Sequence, residues 1–327
     1  METINMILRV NGLTLFLACV LDWLIGDPLW LPHPVRLMGR MIGALERILR
    51  KKLGKRERTA GTILVLVMVC AWGILPAVLF WGLWKLSLPG GALIPLLIQG
   101  ILCSQLLAAR DLKIQSCRVG EFLKRGDLPG AKQSVSMIVG RDTAPLDEAG
   151  VARAAVETVA ENTSDGIIAP MVFLALFGPA GGYCYKAVNT MDSMLGYHNE
   201  AYERFGRTAA RLDDLVNLIP ARLTGLLFCL AAGILPGFSG RRALRIFLRD
   251  RRKHASPNSA HGEAACAGAL GLRLAGDAWY FGKLHHKPWI GDEERPVEAA
   301  DIGRACRLMT GAQLLFLAGW GLLLWAL

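Results

Sequence analysis

Read from its N-terminus, the chain alternates long apolar runs with compact charged blocks. Residues 4–25 are apolar except for Arg9, Asn11 and Asp22, and residues 60–86 form a longer run carrying Trp72, Trp81, Trp84 and Lys85. Those aromatic and snorkelling side chains suit a membrane interface, and a run of about 20 apolar residues suffices to cross the hydrocarbon core as a helix. Residues 88–109, entered through Pro89-Gly90-Gly91, pair with the preceding run as a hairpin. Two further apolar runs cover 215–236 and 309–327. Residues 167–185 differ: Pro170, Pro179 and a Gly181-Gly182 pair interrupt them, and polar residues bound them on both sides. This pattern predicts a short span or a re-entrant segment. The intervening stretches, for instance 146–161, carry helical rather than alternating periodicity. The expected fold is therefore all-α, a polytopic helical integral membrane protein with helical cytoplasmic insertions and a re-entrant segment at 167–185. No internal repeat or low-complexity linker divides it, so residues 1–327 read as one membrane domain.

Charge sets the orientation. Residues 36–58 hold nine Lys or Arg against Glu46 and Glu57, and residues 241–253 hold seven against Asp250. By the positive-inside rule both face the cytoplasm, and parity puts 110–165 there too. The net charge of +10 thus reads as topology and affinity for anionic lipid rather than for nucleic acid, of which no binding motif is present. With 53% hydrophobic residues, a mean hydropathy of +0.37 is high for a soluble domain carrying 20% charged residues, so apolar and charged blocks must alternate. The eight cysteines contain no C-x-x-C pair and read as small core residues. The N-terminus lacks a basic start and a small-residue cleavage site, so the first run is expected to be retained as a span.

Four polar constellations remain. Arg153, Glu157, Glu161 and Asp165 recur every four residues, sharing one helix face beside Asn162, Ser164 and Gly166. Like charges at that spacing repel by a few tenths of a kcal/mol per pair (roughly) unless a cation joins them. A divalent ion or a cationic substrate group would relieve this; the plainer reading is an exposed face neutralised by Arg153. Lys186, Asn189, Asp192 and Ser193 form a donor–acceptor stripe beside an apolar segment, where polar groups are costly and so usually functional, with helix capping as the alternative. Arg207, Arg211, Asp213, Asp214, Asn217 and Arg222 lead into the next apolar run, partly as helical ion pairs. Ser256-Pro257-Asn258-Ser259-Ala260-His261-Gly262-Glu263 follows the second basic block and is expected to start a helix, whose N-terminus suits an anion. P-loop, nucleophile-elbow and zincin motifs are absent.

Six blocks carry a resemblance: GDPLWLPHPVRLMGR (26–40), VGRDTAPLD (139–147), ETVAENTSDGIIAP (157–170), YKAVNTMDSMLGYHNE (185–200), ARLDDLVNLIPARLT (210–224) and SPNSAHGEAACAGALG (256–271). Together they resemble the adenosylcobinamide-phosphate synthase family of cobalamin biosynthesis, the CobD/CbiB membrane proteins, in the family's order and over nearly the whole chain. The resemblance implies a multi-pass protein of the bacterial inner (cytoplasmic) membrane that uses ATP and Mg²⁺ or a similar divalent ion. It would join the corrinoid substrate adenosylcobyric acid to (R)-1-aminopropan-2-ol or its O-phosphate as an amide. An acyl phosphate is the usual route, requiring a metal and basic groups on the transferring phosphoryl. On that reading Glu157, Glu161 and Asp165, with Asp192, are the metal-side carboxylates, while Arg141, Lys186, Arg207 and Arg211 are phosphate-side cations. His261, Asn258 and His198 orient the amine or take its proton, and Asn162, Asn189 and Asp214 complete the substrate contacts. Two alternatives stay open: an AmpE-like membrane sensor, which shares the broader ancestry, and a transporter, which would normally show inverted repeats. Oligomeric state, including a homo-oligomer, is left open by the sequence.

Overall fold

A computed structural model describes residues 2–28, 30–86, 91–197 and 200–327, and most of them are helical. Its helices are α1 (Glu2–Leu24), α2 (Pro34–Leu53), α3 (Glu57–Lys85), α4 (Leu93–Ser104), α5 (Ala109–Lys124), α6 (Leu128–Ser136) and α7 (Glu148–Thr163). A π-helical turn, Ser164–Ile168, leads from α7 into α8 (Ala169–Leu195). There follow α9 (Arg207–Val216), α10 (Leu218–Ile234), α11 (Gly240–Asp250) and α12 (Ser259–Leu270). Four strands of two or three residues, β1 (Leu274–Ala275), β2 (Ala278–Tyr280), β3 (Lys283–His285) and β4 (Trp289–Ile290), precede α13 (Ala300–Ala326).

Among the described residues five helical stretches are long and apolar enough to cross a membrane: α1, α3, Leu93–Lys124, Glu148–Leu195 and α13. Their positions agree with the apolar runs of the sequence. The run at 215–236 is interrupted at Asn217, between α9 and α10, and makes a sixth crossing only if that pair counts as one broken span. Only 33% of the apolar window of α1 or of α3 is buried, so most of each, including Leu13, Phe16, Leu75, Val78 and Leu79, is free to face lipid. The protein is a multi-pass membrane protein.

The chain contacts divide into two compact units where the sequence suggests one domain. The first comprises Met1–Ala108, Ala169–Asn217 and Trp320–Leu327, the second Ala109–Ile168 and Leu218–Gly319. In the first unit α8 packs on α1, α2, α3 and α9. The interruption foreseen in 167–185 falls at Gly178, with φ 65° and ψ −162°, a conformation open to glycine, followed by Pro179. Pro179 has no N–H for the carbonyl of Ala175 four residues back, and the Asn11 side-chain amide donates to that oxygen instead, at 3.4 Å. Asn11, which looks like a flaw in the first apolar run, is thus buried where it repairs a broken helix. Gln99, also buried, donates to Thr14 Oγ1 at 2.6 Å and accepts from Trp84 Nε1 at 2.9 Å. Within the same unit α8 keeps Ala169, Met171, Leu174, Tyr185, Ala187 and Met191 buried.

Because one active site is not readily split across a bilayer, Lys186–Asp214 is expected on the cytoplasmic side. Single cysteines placed at Tyr202 and Arg207 in a variant lacking the native eight should therefore resist a membrane-impermeant thiol reagent in intact cells and react after permeabilisation. Strong labelling from outside would invert this assignment.

The second unit is built around α12. From Ala260 to Leu270 every residue is buried, because alanine and glycine let neighbours approach on all sides. A Cβ on Gly262 would lie 2.5 Å from the Ala160 carbonyl of α7, and one on Gly268 would lie 2.7 Å from the Arg242 carbonyl of α11. Gly271, at φ 71°, ends the helix in the left-handed conformation. The strands, absent from the expectation, pair as β1–β4 and β2–β3, the latter through Phe281 and Gly282, both at positive φ. Two such residues are what a tight antiparallel hairpin turn demands.

Candidate active site

The acidic ladder starts on α7 with Glu157. Glu157 is buried; Arg141, from the 139–147 loop, donates to its Oε2, and the backbone N–H of Ala275 donates to Oε1 at 2.7 Å. Burial disfavours the Arg141 cation, yet the adjacent Glu157 carboxylate outweighs it and raises the guanidinium pKa above its ordinary value. The charge that quiets the ladder is therefore Arg141 and not Arg153, whose guanidinium lies 5.2 Å over the Trp289 ring.

One turn on, Glu161 is half-buried and accepts from Ser259 Oγ, the first residue of α12, at 2.9 Å. The close approach at Gly262 makes this contact possible, since any larger residue would push α12 off α7 next to Glu161. Glu263, also on α12, is 5% exposed, and its Oε2 has no hydrogen-bond partner among the described residues. Burial first, then the neighbouring Glu161 and Glu157 carboxylates, raise its pKa well above the usual range and favour the protonated form. The sequence offered Glu263 only as the end of a motif. Its burial comes from the alanines around it, a signal present in the run Ala264-Ala265-Cys266-Ala267.

His261 and Asn258 join the same unit. As expected, a helix starts here, with Asn258 at its cap position. His261 is 2% exposed against the Phe247 ring at 5.6 Å, and burial, then Arg222 and Arg251, push its pKa down to about 4, so its imidazole is neutral at pH 7. Asn258 Oδ1 accepts from Arg222 Nη1 at 3.4 Å. Asn162 turns its amide back to the Thr158 carbonyl at 3.0 Å. Asp165 is half-buried in the π-helical turn, off the α-helical register that the four-residue spacing assumes.

The remaining predicted residues lie in the first unit. There Tyr185 Oη donates to Asn217 Oδ1 at 2.9 Å, and Asn217 Nδ2 donates to the buried Asp213 carboxylate at 2.9 Å. Lys186, Asn189 and Asp192 sit on α8 and Arg207, Arg211 and Asp214 on α9, with Arg207 and Arg211 exposed. His198 lies outside the described residues.

A cavity of about 770 Å³ opens beside the Arg141 end of the cluster, lined by Arg141, Asp142, Thr143, Pro145, Trp279 and Gly282. The 139–147 loop is stitched to the β2–β3 hairpin by the Asp142 N–H to the Trp279 carbonyl at 2.9 Å and the Gly282 N–H to Asp142 Oδ2 at 2.7 Å. Its volume falls within the ordinary range for a small-molecule site. Among the described residues no three His, Cys, Asp or Glu side chains are grouped to hold a metal ion. Glu157 is already engaged by Arg141 and Ala275, so the ladder does not fit a resident metal centre.

Gly262→Ala should cut activity severely while leaving the membrane helices inserted, because the added methyl meets the Ala160 carbonyl and separates Glu161 from Ser259. Activity within twofold of the parent chain would show that the α7–α12 spacing is immaterial.

Residues 15–309 match the family model described as CobD/Cbib protein. The chain is 51% identical over 309 residues to the cobalamin biosynthesis protein CobD of Geobacter metallireducens, covering 93% of this chain and 94% of that protein. It is 48% identical over 300 residues to the protein of the same name from Pelobacter propionicus, covering 92% and 91%. It is 46% identical over 305 residues to the cobalamin biosynthesis protein CbiB of Salmonella typhimurium, covering 92% and 94%. No solved structure matches this chain.

Proposed function

The chain belongs to the CobD/CbiB protein family, and on that premise we propose that its role in cobalamin biosynthesis is ATP-dependent amide ligation in the bacterial inner membrane. The acid is adenosylcobyric acid and the amine (R)-1-aminopropan-2-ol or its O-phosphate, giving adenosylcobinamide or its phosphate. The carboxylate oxygen attacks the γ-phosphorus of ATP and ADP leaves, forming an acyl phosphate. The amine nitrogen then attacks the acyl carbon, the C–O bond to phosphate breaks, and the nitrogen gives up a proton.

The observation that carries this reading is the second unit's cluster: Arg141 fixed on Glu157 at the edge of a cavity, with Glu161 further along α7 and Glu263 and a neutral His261 on α12. Arg141, at the cavity's edge, would meet phosphate oxygens, for which its planar fork is suited. The neutral His261 imidazole can receive the proton of the attacking amine, and the Glu161 carboxylate is a second candidate acceptor. Mg²⁺, arriving with the nucleotide, would shield phosphate charge; it is commonly held by phosphates, water and one or two carboxylates rather than by a protein cage. The assay is purified protein in detergent with adenosylcobyric acid, ATP and each amine form, following corrinoid product by mass and ADP by coupled absorbance. Amide and ADP should appear in equal amounts. Absence of corrinoid amide with both amines would overturn the ligase reading.

A further inference from the structure

The C-terminal end of α12, about 18 Å along the helix from its start, borders a second cavity, of about 690 Å³. Pro236, Gly237, Arg242, Arg295, Arg304 and Arg307 line it, with Glu294. Its charges are arranged, not scattered. Arg242 Nε and Nη2 donate to the last carbonyls of α12, Gly268 at 2.6 Å and Ala269 at 3.2 Å, while Nη1 meets Glu294. Arg295 and Arg304 converge on Asp301, which is 0% exposed. With Glu298, 3.7 Å from Arg304, counted beside Glu294 and Asp301, the four guanidiniums that line the cavity face three carboxylates. Arg307 accounts for the excess: it is exposed, stacks 4.9 Å over the Phe238 ring, and has no carboxylate in ion-pair reach among the described residues.

The cavity also has a definite place. It sits where two apolar helices of the unit meet end to end with water. α10 finishes at Ile234, just before Pro236-Gly237, and α13 turns apolar from Leu308, just after Arg307. The two pack there, since a Cβ on Gly311 would lie 3.1 Å from Ala231 Cβ and 3.0 Å from Leu235 Cδ1. Ile219, Leu226, Leu230 and Ile234 of α10 and Leu314 of α13 are exposed, as lipid-facing residues are. The basic stretch 241–253 follows at once, on the side of the membrane where anionic headgroups attract Lys and Arg.

We propose that this cavity binds a phosphate group, carried either by the headgroup of an anionic phospholipid in the leaflet it borders or by a water-soluble phosphate. An unpaired arginine fork presents two N–H donors to phosphate oxygens, and the ring beneath holds it in place. The site is separate from the α12 N-terminal cluster and does not depend on the ligase reading.

The test measures thermal unfolding and dissociation constants of the full chain in maltoside micelles with four probes: dioctanoyl phosphatidylglycerol, phosphate-free dioctanoylglycerol, inorganic phosphate and pyrophosphate. Stabilisation by the phosphatidylglycerol alone assigns the lipid source, and stabilisation by phosphate or pyrophosphate assigns the soluble one. In either case Arg307→Gln should weaken binding about tenfold, the loss of one charge-assisted contact, with Arg307→Lys losing less. Because Arg307 is exposed, its variants should fold as the parent does; Arg304→Gln, which leaves Arg295 on Asp301, gives a second reading of the same loss. The proposal fails if no phosphate-bearing probe binds, if dioctanoylglycerol binds as well as the phosphatidylglycerol and neither soluble phosphate binds, or if both variants bind like the parent.

Discussion

Removing Arg141 is expected to be the most damaging single change in the chain. The Arg141 and Glu157 side chains are only 13% and 9% exposed, and Arg141→Met would leave a carboxylate with little water and only the Ala275 N–H to hold it. Breaking one side of such a pair costs about 3–5 kcal/mol, whereas replacing both partners by apolar groups of similar volume is often close to neutral. Arg141→Met should therefore lower the unfolding midpoint in detergent by several degrees (roughly) and remove activity. The double variant Arg141→Met/Glu157→Met should recover most of the stability and none of the turnover. If the single variant is as stable as the parent, the pair is not the anchor of this loop. If the double variant is active, the pair is outside the reaction.

Glu161→Gln carries the second large effect, and of the opposite kind. Glutamine keeps the volume and can still accept from Ser259 Oγ through its carbonyl oxygen, so stability should stay within about 0.5 kcal/mol, as for a change that creates no cavity or orphaned charge. What disappears is the negative charge beside Glu263 and the capacity to take a proton. Losing a positioned proton acceptor or electrostatic partner commonly costs about 10²–10³ in turnover. Asp165→Asn should act in the same direction, and Ser259→Ala, which only frees Glu161 to move, less strongly. Corrinoid product formed at near-parent rates by both carboxylate variants would remove the ladder from the site, whatever the family chemistry is.

Read together, the two experiments separate roles that the spacing Glu157, Glu161, Asp165 makes look alike. One carboxylate is consumed structurally by a cation 16 positions earlier, and the next is half-buried and accepts from the Ser259 hydroxyl. Nothing in the four-residue periodicity distinguishes them.

What the sequence determined by itself follows from local physics. A run of about 20 apolar residues is a span wherever it lies, because the bilayer demands internal backbone hydrogen bonds and an apolar surface. Hence α1, α3 and α13 could be placed from composition, as could the break in 167–185 from Pro179 and its glycines. The start of α12 after Ser256-Pro257 was legible for the same reason, and the ordered polar blocks identified the family. The tertiary structure decided what depends on distant partners. Arg141 is 16 positions from Glu157, while Ser259 is 98 from Glu161 and Ala275 is 118 from Glu157. Asn11 serves a carbonyl 164 positions away. The short hairpins escaped notice because two- or three-residue strands give no usable alternation, and the burial of Glu263 because it depends on how closely α7, α10 and α11 crowd an alanine-rich helix. Hydrophobic length is written residue by residue, whereas the partner of a charge is fixed only when the chain closes on itself.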